Sequence, residues 1–282
     1  MERGQEETME AEGIGLHGVR ETLLITLRAK AAESALPDSL LHDRFAAELL
    51  RRLDGKAKAP DVGHDMTIGI AMRAYLLDRW TRAFIASHPD AIVLNLGCGL
   101  DTRILRLDPP SSVAWFDVDF PDVIALRQRL FPDRVGCTAI ASSITERDWI
   151  DRIPDNRPTI VVAEGVLPYL RDQEVRDLLR RVVTCLAGGE IVFDAYSHLG
   201  IELLRFNPSL RATGAELRWG IEDARSLERG VPGLTLLEDI YNYDAAQIAR
   251  MSPMARIAIQ FFSAVPMLRR MGRLLRYRFK QT

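Results

Sequence analysis

Residues 91–103 read AIVLNLGCGLDTR, an apolar run that breaks at Gly97 and Gly99 and passes into a polar helix start. Shortly after it comes SVAWFDVDFPDV, a second apolar run that ends in acids. Glycines at the carboxyl end of a buried strand let the backbone approach a ligand that a Cβ would push away. An acid at the end of the next strand, Asp117 or Asp119, is placed to accept hydrogen bonds from two ribose hydroxyls. Together these residues make a grip for an adenosine-containing ligand.

What the turn lacks narrows the ligand. A dinucleotide fingerprint carries a third glycine so that a helix amino terminus can close on a pyrophosphate, and here that position is Thr102. Asp101 stands in the same turn. A fixed carboxylate repels a pyrophosphate, whereas S-adenosyl-L-methionine brings a sulfonium and an ammonium that it attracts. A glycine turn also serves ordinary tight loops, and it is the acid-ended second strand that tips the reading toward this cofactor and away from a nicotinamide dehydrogenase.

The elements that must position these residues are legible as patterns. Residues 19–34 and 39–53 carry apolar positions at helical spacing, and 66–88 reads as a long helix stopped by His88 and Pro89. The charged, proline-containing stretch 56–63 is a loop. Strands are expected at 91–96, 113–118, 136–140, 159–163 and 190–195. Helices are expected near Thr102 and at 120–130, 146–153 and 171–186, the last closed by Gly188 and Gly189. Short apolar runs alternating with helices mark a parallel sheet covered on both faces. Beyond residue 195 a mixed segment leads to a strand at 234–240, helix over 244–265, and a final edge strand in RLLRYRF preceded by solvated helix. The expected class is α/β, a Rossmann-like, mostly parallel seven-stranded sheet with extra N-terminal helices and an insert after the fifth strand. The chain divides into an acidic N-terminus (1–18), a helical cap (19–88), a cofactor-binding core (89–195), an insert (196–233) and a closing strand–helix–strand unit (234–282).

With 282 residues, 47% of them hydrophobic, there is material for a sizeable core. No apolar run approaches the roughly 18 residues of a membrane span, and the acidic N-terminus is unlike an export signal, so a cytoplasmic protein is expected. Cys98, Cys137 and Cys185 are scattered without metal-ligand spacing. A net charge of -2 gives no reason to expect nucleic acid as partner. The arginines after residue 265 form a basic stretch that could lie on an anionic surface, or simply solvate a helix and strand. The sequence leaves a homo-oligomer open.

NLGCGLDTR, DVDFP and VAEGVLPYL, in that order, resemble the motifs of the leucine carboxyl methyltransferase family, particularly its bacterial polyketide-tailoring branch of class I S-adenosylmethionine-dependent enzymes. The resemblance spans roughly residues 23–195. It implies that Gly97 and Gly99 carry backbone beside the methionine part of the cofactor, that Asp119 holds the ribose with Asp117 its neighbour and competitor, and that Arg73 pairs with the cofactor carboxylate. Glu164 then faces the cofactor, and Lys30 or Arg28 reaches the site from the first helix. Where the family has an acid followed by an apolar residue against the adenine, this chain has Ser142, Ser143 and Ile144. Each charged residue also has a plainer reading, as a solvated helix arginine or a salt-bridged loop acid.

The sulfonium is a good leaving group, so transfer is mainly a matter of alignment and exclusion of water. A carboxylate nucleophile, with a pKa of about 4, arrives ionised, whereas a phenol at about 10 needs a base. Only His64 and His198 stand near a sheet end as candidate bases, and the scarcity favours carboxyl methylation. The insert, with Phe206, Leu210, Leu217 and Trp219 among Arg205, Arg211 and Arg218, reads either as a lid with a cationic point for an acidic aromatic acceptor or as a packing strap. Tyr169 and Trp219 are candidate acceptor contacts. The expected activity is therefore methyl ester formation on a small, polyketide-like metabolite. The alternatives are hydroxyl methylation and a non-catalytic cofactor-binding scaffold. No metal is implied.

Overall fold

The computed structural model describes residues 22–53, 62–265 and 268–280. The acidic segment 1–18 and most of the expected loop 56–63 lie outside the described residues. Helices α1 (Thr22–Ser34), α2 (Arg44–Leu53) and α3 (His64–Ser87) precede the first strand. Five parallel strands follow: β1 (Ile92–Leu96), β2 (Ala114–Asp119), β3 (Cys137–Ala141), β4 (Thr159–Ala163) and β5 (Gly188–Tyr196). Between them run α4 (Arg103–Leu107), α5 (Pro121–Leu130) and α6 (Asp172–Cys185), and after them α7 (His198–Arg205), α8 (Pro208–Ala212) and α9 (Ser226–Gly230). The chain closes with β6 (Leu234–Ile240), α10 (Ala245–Ala249), α11 (Pro253–Ala264) and β7 (Gly272–Lys280).

The seven strands form one sheet in the order β3-β2-β1-β4-β5-β7-β6, with β6 and β7 antiparallel. Because side chains alternate across a strand, Ile92, Leu94 and Leu96 enter the core under α6 while Val93 enters the one under α3. Two buried layers thus sandwich the parallel pair β1 and β4, and the order in which successive strands join the sheet reverses between them, β2 and β3 lying to one side and β5 to the other. Ligands bind at such a switch point, outside the carboxyl ends of the strands.

Several expected elements differ in detail. The final strand is interior, not an edge: β7 pairs with β5 on one side and β6 on the other. Arg276 is paired within the sheet, donating to Glu190 at 2.7 and 2.9 Å and to Glu238 at 2.6 Å, while Leu275, Tyr277 and Phe279 fill the core. The turn 268–270 precedes it rather than a helix, and Arg269 and Arg270 lie over the Tyr241 ring. Gly188 and Gly189 belong to β5 and do not close α6, which ends at Cys185. A Cβ on Gly189 would stand 1.8 Å from the Thr159 carbonyl oxygen, so the close approach of β4 demands the glycine. The expected helix at 146–153 is a turn followed by one 3-10 turn at Ile150–Arg152. The expected helix at 244–265 is split, because Ser252 caps a new start at Pro253. Among the described residues, no helix is long and apolar enough to cross a membrane.

Candidate active site

A cavity of about 540 Å³ opens at the carboxyl ends of the parallel strands. Its polar lining is assembled one strand end at a time: Gly97 after β1, Asp119 closing β2, Ser142 after β3, Glu164 after β4 and Asp194 near the end of β5. α1 adds Lys30 and α3 adds Arg73. Gly97 has φ +61°, and a Cβ there would lie 2.3 Å from Val166 Cγ2, so both conformation and space require glycine.

The choice between the two acids of β2 is made by their partners. Asp117 is saturated: Oδ1 accepts from Asn95 Nδ2 and Trp115 Nε1, both at 2.9 Å, and Oδ2 accepts from Arg127 at 2.8 and 3.0 Å. It braces β1, β2 and α5 and does not line the cavity. Asp119 does line it, and accepts from the Gly99 and Phe120 amides at 2.7 Å each. Burial pushes its carboxyl above the usual range, against the pull of those two amides.

Behind the cavity runs a relay of buried ion pairs. Lys30 Nζ lies 3.0 Å from Asp101 and 3.1 Å from Glu164. Arg73 bridges Glu164 and Asp194, at 3.2 and 3.0 Å, and Arg103 reaches Glu164 at 2.5 Å and Asp78 at 2.7 Å. Arg106 extends the relay through Asp78 and Asp101 to Asp43, which caps the start of α2 through the Ala46 amide. Burial alone would raise the Glu164 pKa, but Lys30, Arg73 and Arg103 outweigh it and hold the group down at about 2. Asp101 is likewise held well below the carboxylate range, burial being overcome by Arg103, Arg106 and Lys30. The relay ties α1, α2 and α3 to the glycine turn. Removing one partner would strand the others in a low-dielectric interior.

The three tyrosines of the cavity behave oppositely. Burial raises the pKa of Tyr169 and Tyr196, and pushes Tyr243 up to about 12. They are protonated hydrogen-bond donors at neutral pH. Burial also lifts the Cys98 thiol well above its ordinary value.

Of the residues singled out from the sequence, Lys30, Arg73, Gly97, Gly99, Asp119, Ser143, Ile144, Glu164 and Tyr169 all line the cavity. Arg28, the alternative to Lys30, does not, and neither of the two histidines does. His64 contacts the Arg250 carbonyl at 2.9 Å near the surface, and His198 is 73% exposed, 3.1 Å from Glu222 in a separate surface pocket. Trp219 is a core residue: its indole donates to Asp172 at 3.2 Å and packs near Phe193. The insert divides its side chains: Leu204, Leu210, Leu217 and Arg218 line the cavity while Trp219, Ile221 and Leu227 are core. Sequence reasoning missed Asp194, Tyr196 and Tyr243. Asp194 carried the same signal as Asp119, an acid near a strand end, whereas Tyr243 follows an outer strand with nothing local to mark it.

The model of the leucine carboxyl methyltransferase family matches residues 23–183. The chain belongs to this family. It is 45% identical over 269 residues to the tetracenomycin polyketide synthesis O-methyltransferase TcmP of Streptomyces glaucescens, a match covering 95% of this chain and 99% of that one. It is 33% identical to the S-adenosyl-L-methionine-dependent methyltransferase dpfgK of Gibberella zeae, over 83% and 86% of the two chains. In fold it is similar to a putative methyltransferase from Thermobifida fusca, with TM-score 0.54, 16% identity and coverage of 90% and 94%. It is similar also to magnesium protoporphyrin IX methyltransferase of Synechocystis with bound SAH, with TM-score 0.50, 12% identity and coverage of 84% and 96%. The family's class I methyltransferase fold is the one described above, and its matched segment contains every strand end that builds the cavity floor except that of β5.

Proposed function

We propose that this S-adenosylmethionine-dependent methyltransferase transfers the methyl group to a carboxylate of a small, largely apolar acid of polyketide type, forming a methyl ester. One observation carries the carboxylate reading. Of the ionisable side chains that line the cavity, Glu164 is held down at about 2 and the tyrosines are pushed upward, to about 12 for Tyr243, while Asp119, which burial raises, accepts from the Gly99 and Phe120 amides and is assigned to the ribose. Asp194 is occupied on both oxygens, by the Gly165 amide at 2.6 Å and Arg73 at 3.0 Å. None of the four described histidines lines the cavity. A neutral hydroxyl would find no described histidine there to take its proton, whereas a carboxylate arrives already ionised.

The residues present fit the cofactor. Asp119 keeps lone pairs on both oxygens for ribose hydroxyls. In the relay, Asp43, Asp78, Asp101, Glu164 and Asp194 face Lys30, Arg73, Arg103 and Arg106, one more negative than positive charge, which suits a ligand of net positive charge. Asp101 Oδ2 sits 2.8 Å from Arg103 Nη1 yet receives no hydrogen bond among the described residues. When bound, the cofactor supplies a methyl group on a sulfonium leaving group. Gly97 and Gly99 would admit its methionine part against backbone, Arg73 has N–H donors to spare for its carboxylate, and Ser143 and Ile144 would flank the adenine. Phenols of Tyr169 and Tyr243 are donors suited to orienting an acceptor carboxylate, and the apolar wall of Met66, Ile70, Leu204, Leu210 and Leu217 excludes water from the transfer. The segment 196–233 serves as the acceptor side of the site.

Incubation with methyl-labelled cofactor and a panel of aromatic acids and phenols tests the reading. Labelled products that hydrolyse in mild base are esters and support it. Labelled base-stable ethers as the main product would replace it with hydroxyl methylation.

A further inference from the structure

We propose that Arg218 reads the acceptor: its guanidinium, at the rim of the cavity, grips an anionic oxygen at the end of the acceptor remote from the carboxyl that is methylated. The proposal rests on the esterification reading above and adds to it a substrate class, an elongated apolar acid carrying a second anionic oxygen.

Four cations line the cavity among the described residues, and three are committed. Lys30 and Arg73 belong to the buried relay. The fully buried Arg273 donates to Asp239 at 3.3 Å and to the Ile221 and Glu222 carbonyls at 2.7 Å each. Arg218 differs. Its side chain is 44% exposed, and its carboxylate partner, Glu216, is 74% exposed and receives both Nε and Nη2 on one oxygen, at 3.2 and 2.8 Å. A solvent-screened pair of this kind is worth little and yields readily to a better-shaped anion. Nη1 has no hydrogen-bond partner among the described residues.

The backbone beneath this side chain is nonetheless held firmly. The Arg218 amide donates to the Pro168 carbonyl at 2.7 Å, the Trp219 amide to the same oxygen at 3.1 Å, and Trp219 is buried. Arg218 is therefore a loosely engaged cation on a fixed base, and its planar fork matches a carboxylate. Leu204, Leu210 and Leu217 bring the same insert's apolar side chains to the cavity that Arg218 and the buried Glu164 also line. A ligand that places its reacting carboxyl at the buried end and its apolar body along these leucines ends at Arg218. Glu174, which also lines the cavity, is already engaged by the Arg171 amide at 2.7 Å.

The test compares two probes that differ only at the remote end, naphthalene-2-carboxylate and naphthalene-2,6-dicarboxylate. Their binding to the full chain loaded with S-adenosylhomocysteine is titrated by fluorescence, and methyl transfer to each is measured in parallel. The dicarboxylate is expected to bind more tightly. Arg218→Gln is expected to weaken dicarboxylate binding about tenfold while leaving the monocarboxylate unchanged, with the loss in KM and not in kcat. Glu216→Gln, by releasing Arg218, is expected to act in the opposite direction and tighten the dicarboxylate. Equal losses for both probes in Arg218→Gln, no loss for either, or no binding of either probe would overturn the proposal. If Arg218→Gln discriminates between the probes but neither yields a base-labile ester, the esterification reading fails and the role of Arg218 stands.

Discussion

The Gly99 amide donates to Asp119 Oδ2 at 2.7 Å, so the acid that closes β2 also sets the shape of the glycine turn that follows β1. Two halves of the proposed cofactor grip are one hydrogen-bonded unit. In Asp119→Asn an amide N–H2 must face either the Gly99 or the Phe120 N–H, and one of the two contacts becomes repulsive. Affinity for S-adenosylmethionine should fall by about tenfold or more, read by calorimetry. An unchanged dissociation constant would refute this role.

Gly97→Ala combines a left-handed backbone with a Cβ placed 2.3 Å from Val166 Cγ2. Strain and overpacking together should cost about 3 kcal/mol of stability and most of the cofactor affinity. Adding Val166→Ala removes the steric part alone. Partial recovery in the double variant, seen in urea melts, is the expected result, and full recovery would show that the φ of +61° carries no penalty.

Glu164→Gln leaves Lys30, Arg73 and Arg103 without their shared carboxylate. Stability at pH 7 should drop by about 3 kcal/mol. The native Glu164 pKa is depressed to about 2 from an ordinary 4.5, so its contribution is fully present above pH 4.5 and is lost as pH falls through that window. The gap between wild type and variant in denaturant melts should accordingly narrow as pH falls from 4.5 toward 2. A gap that stays constant would remove Glu164 from the pH response.

With Glu164 held near 2 and Tyr243 near 12, kcat/KM for a carboxylate acceptor should be flat between about pH 6 and 9. His64→Ala and His198→Ala should leave it so, since both side chains lie away from the cavity. A rate that climbs tenfold per pH unit would indicate an acceptor that must lose a proton in the site.

Much of this was legible from short stretches of chain. Gly97, Gly99 and Asp119 stand at strand ends bounded by apolar runs, and a strand end is where a parallel sheet exposes backbone to a ligand. The resemblance added Arg73, Glu164 and Lys30, which no local pattern marks as neighbours although they come from α3, the end of β4 and α1. Strand placement at the centre of the sheet was readable because both faces are buried there. The interior place of β7 was not, because its Arg276 is paired with Glu190 and Glu238 on adjacent strands, and alternation of charge with apolar residues looks the same at an edge.

The linear order of residues settles the α/β alternation, the glycine turn and the acid that follows it, since all three depend on neighbours a few positions apart. Which acid faces the cavity, which histidines lie away from it, and which of its arginines has only an exposed partner depend on contacts dozens to hundreds of residues away. Asp117 and Asp119 are two residues apart and point to the same face of the strand by period, yet Arg127 and Asn95 consume one while the other lines the cavity. Such distinctions arise from competition for hydrogen bonds in a packed interior, and that competition is decided after the chain has folded.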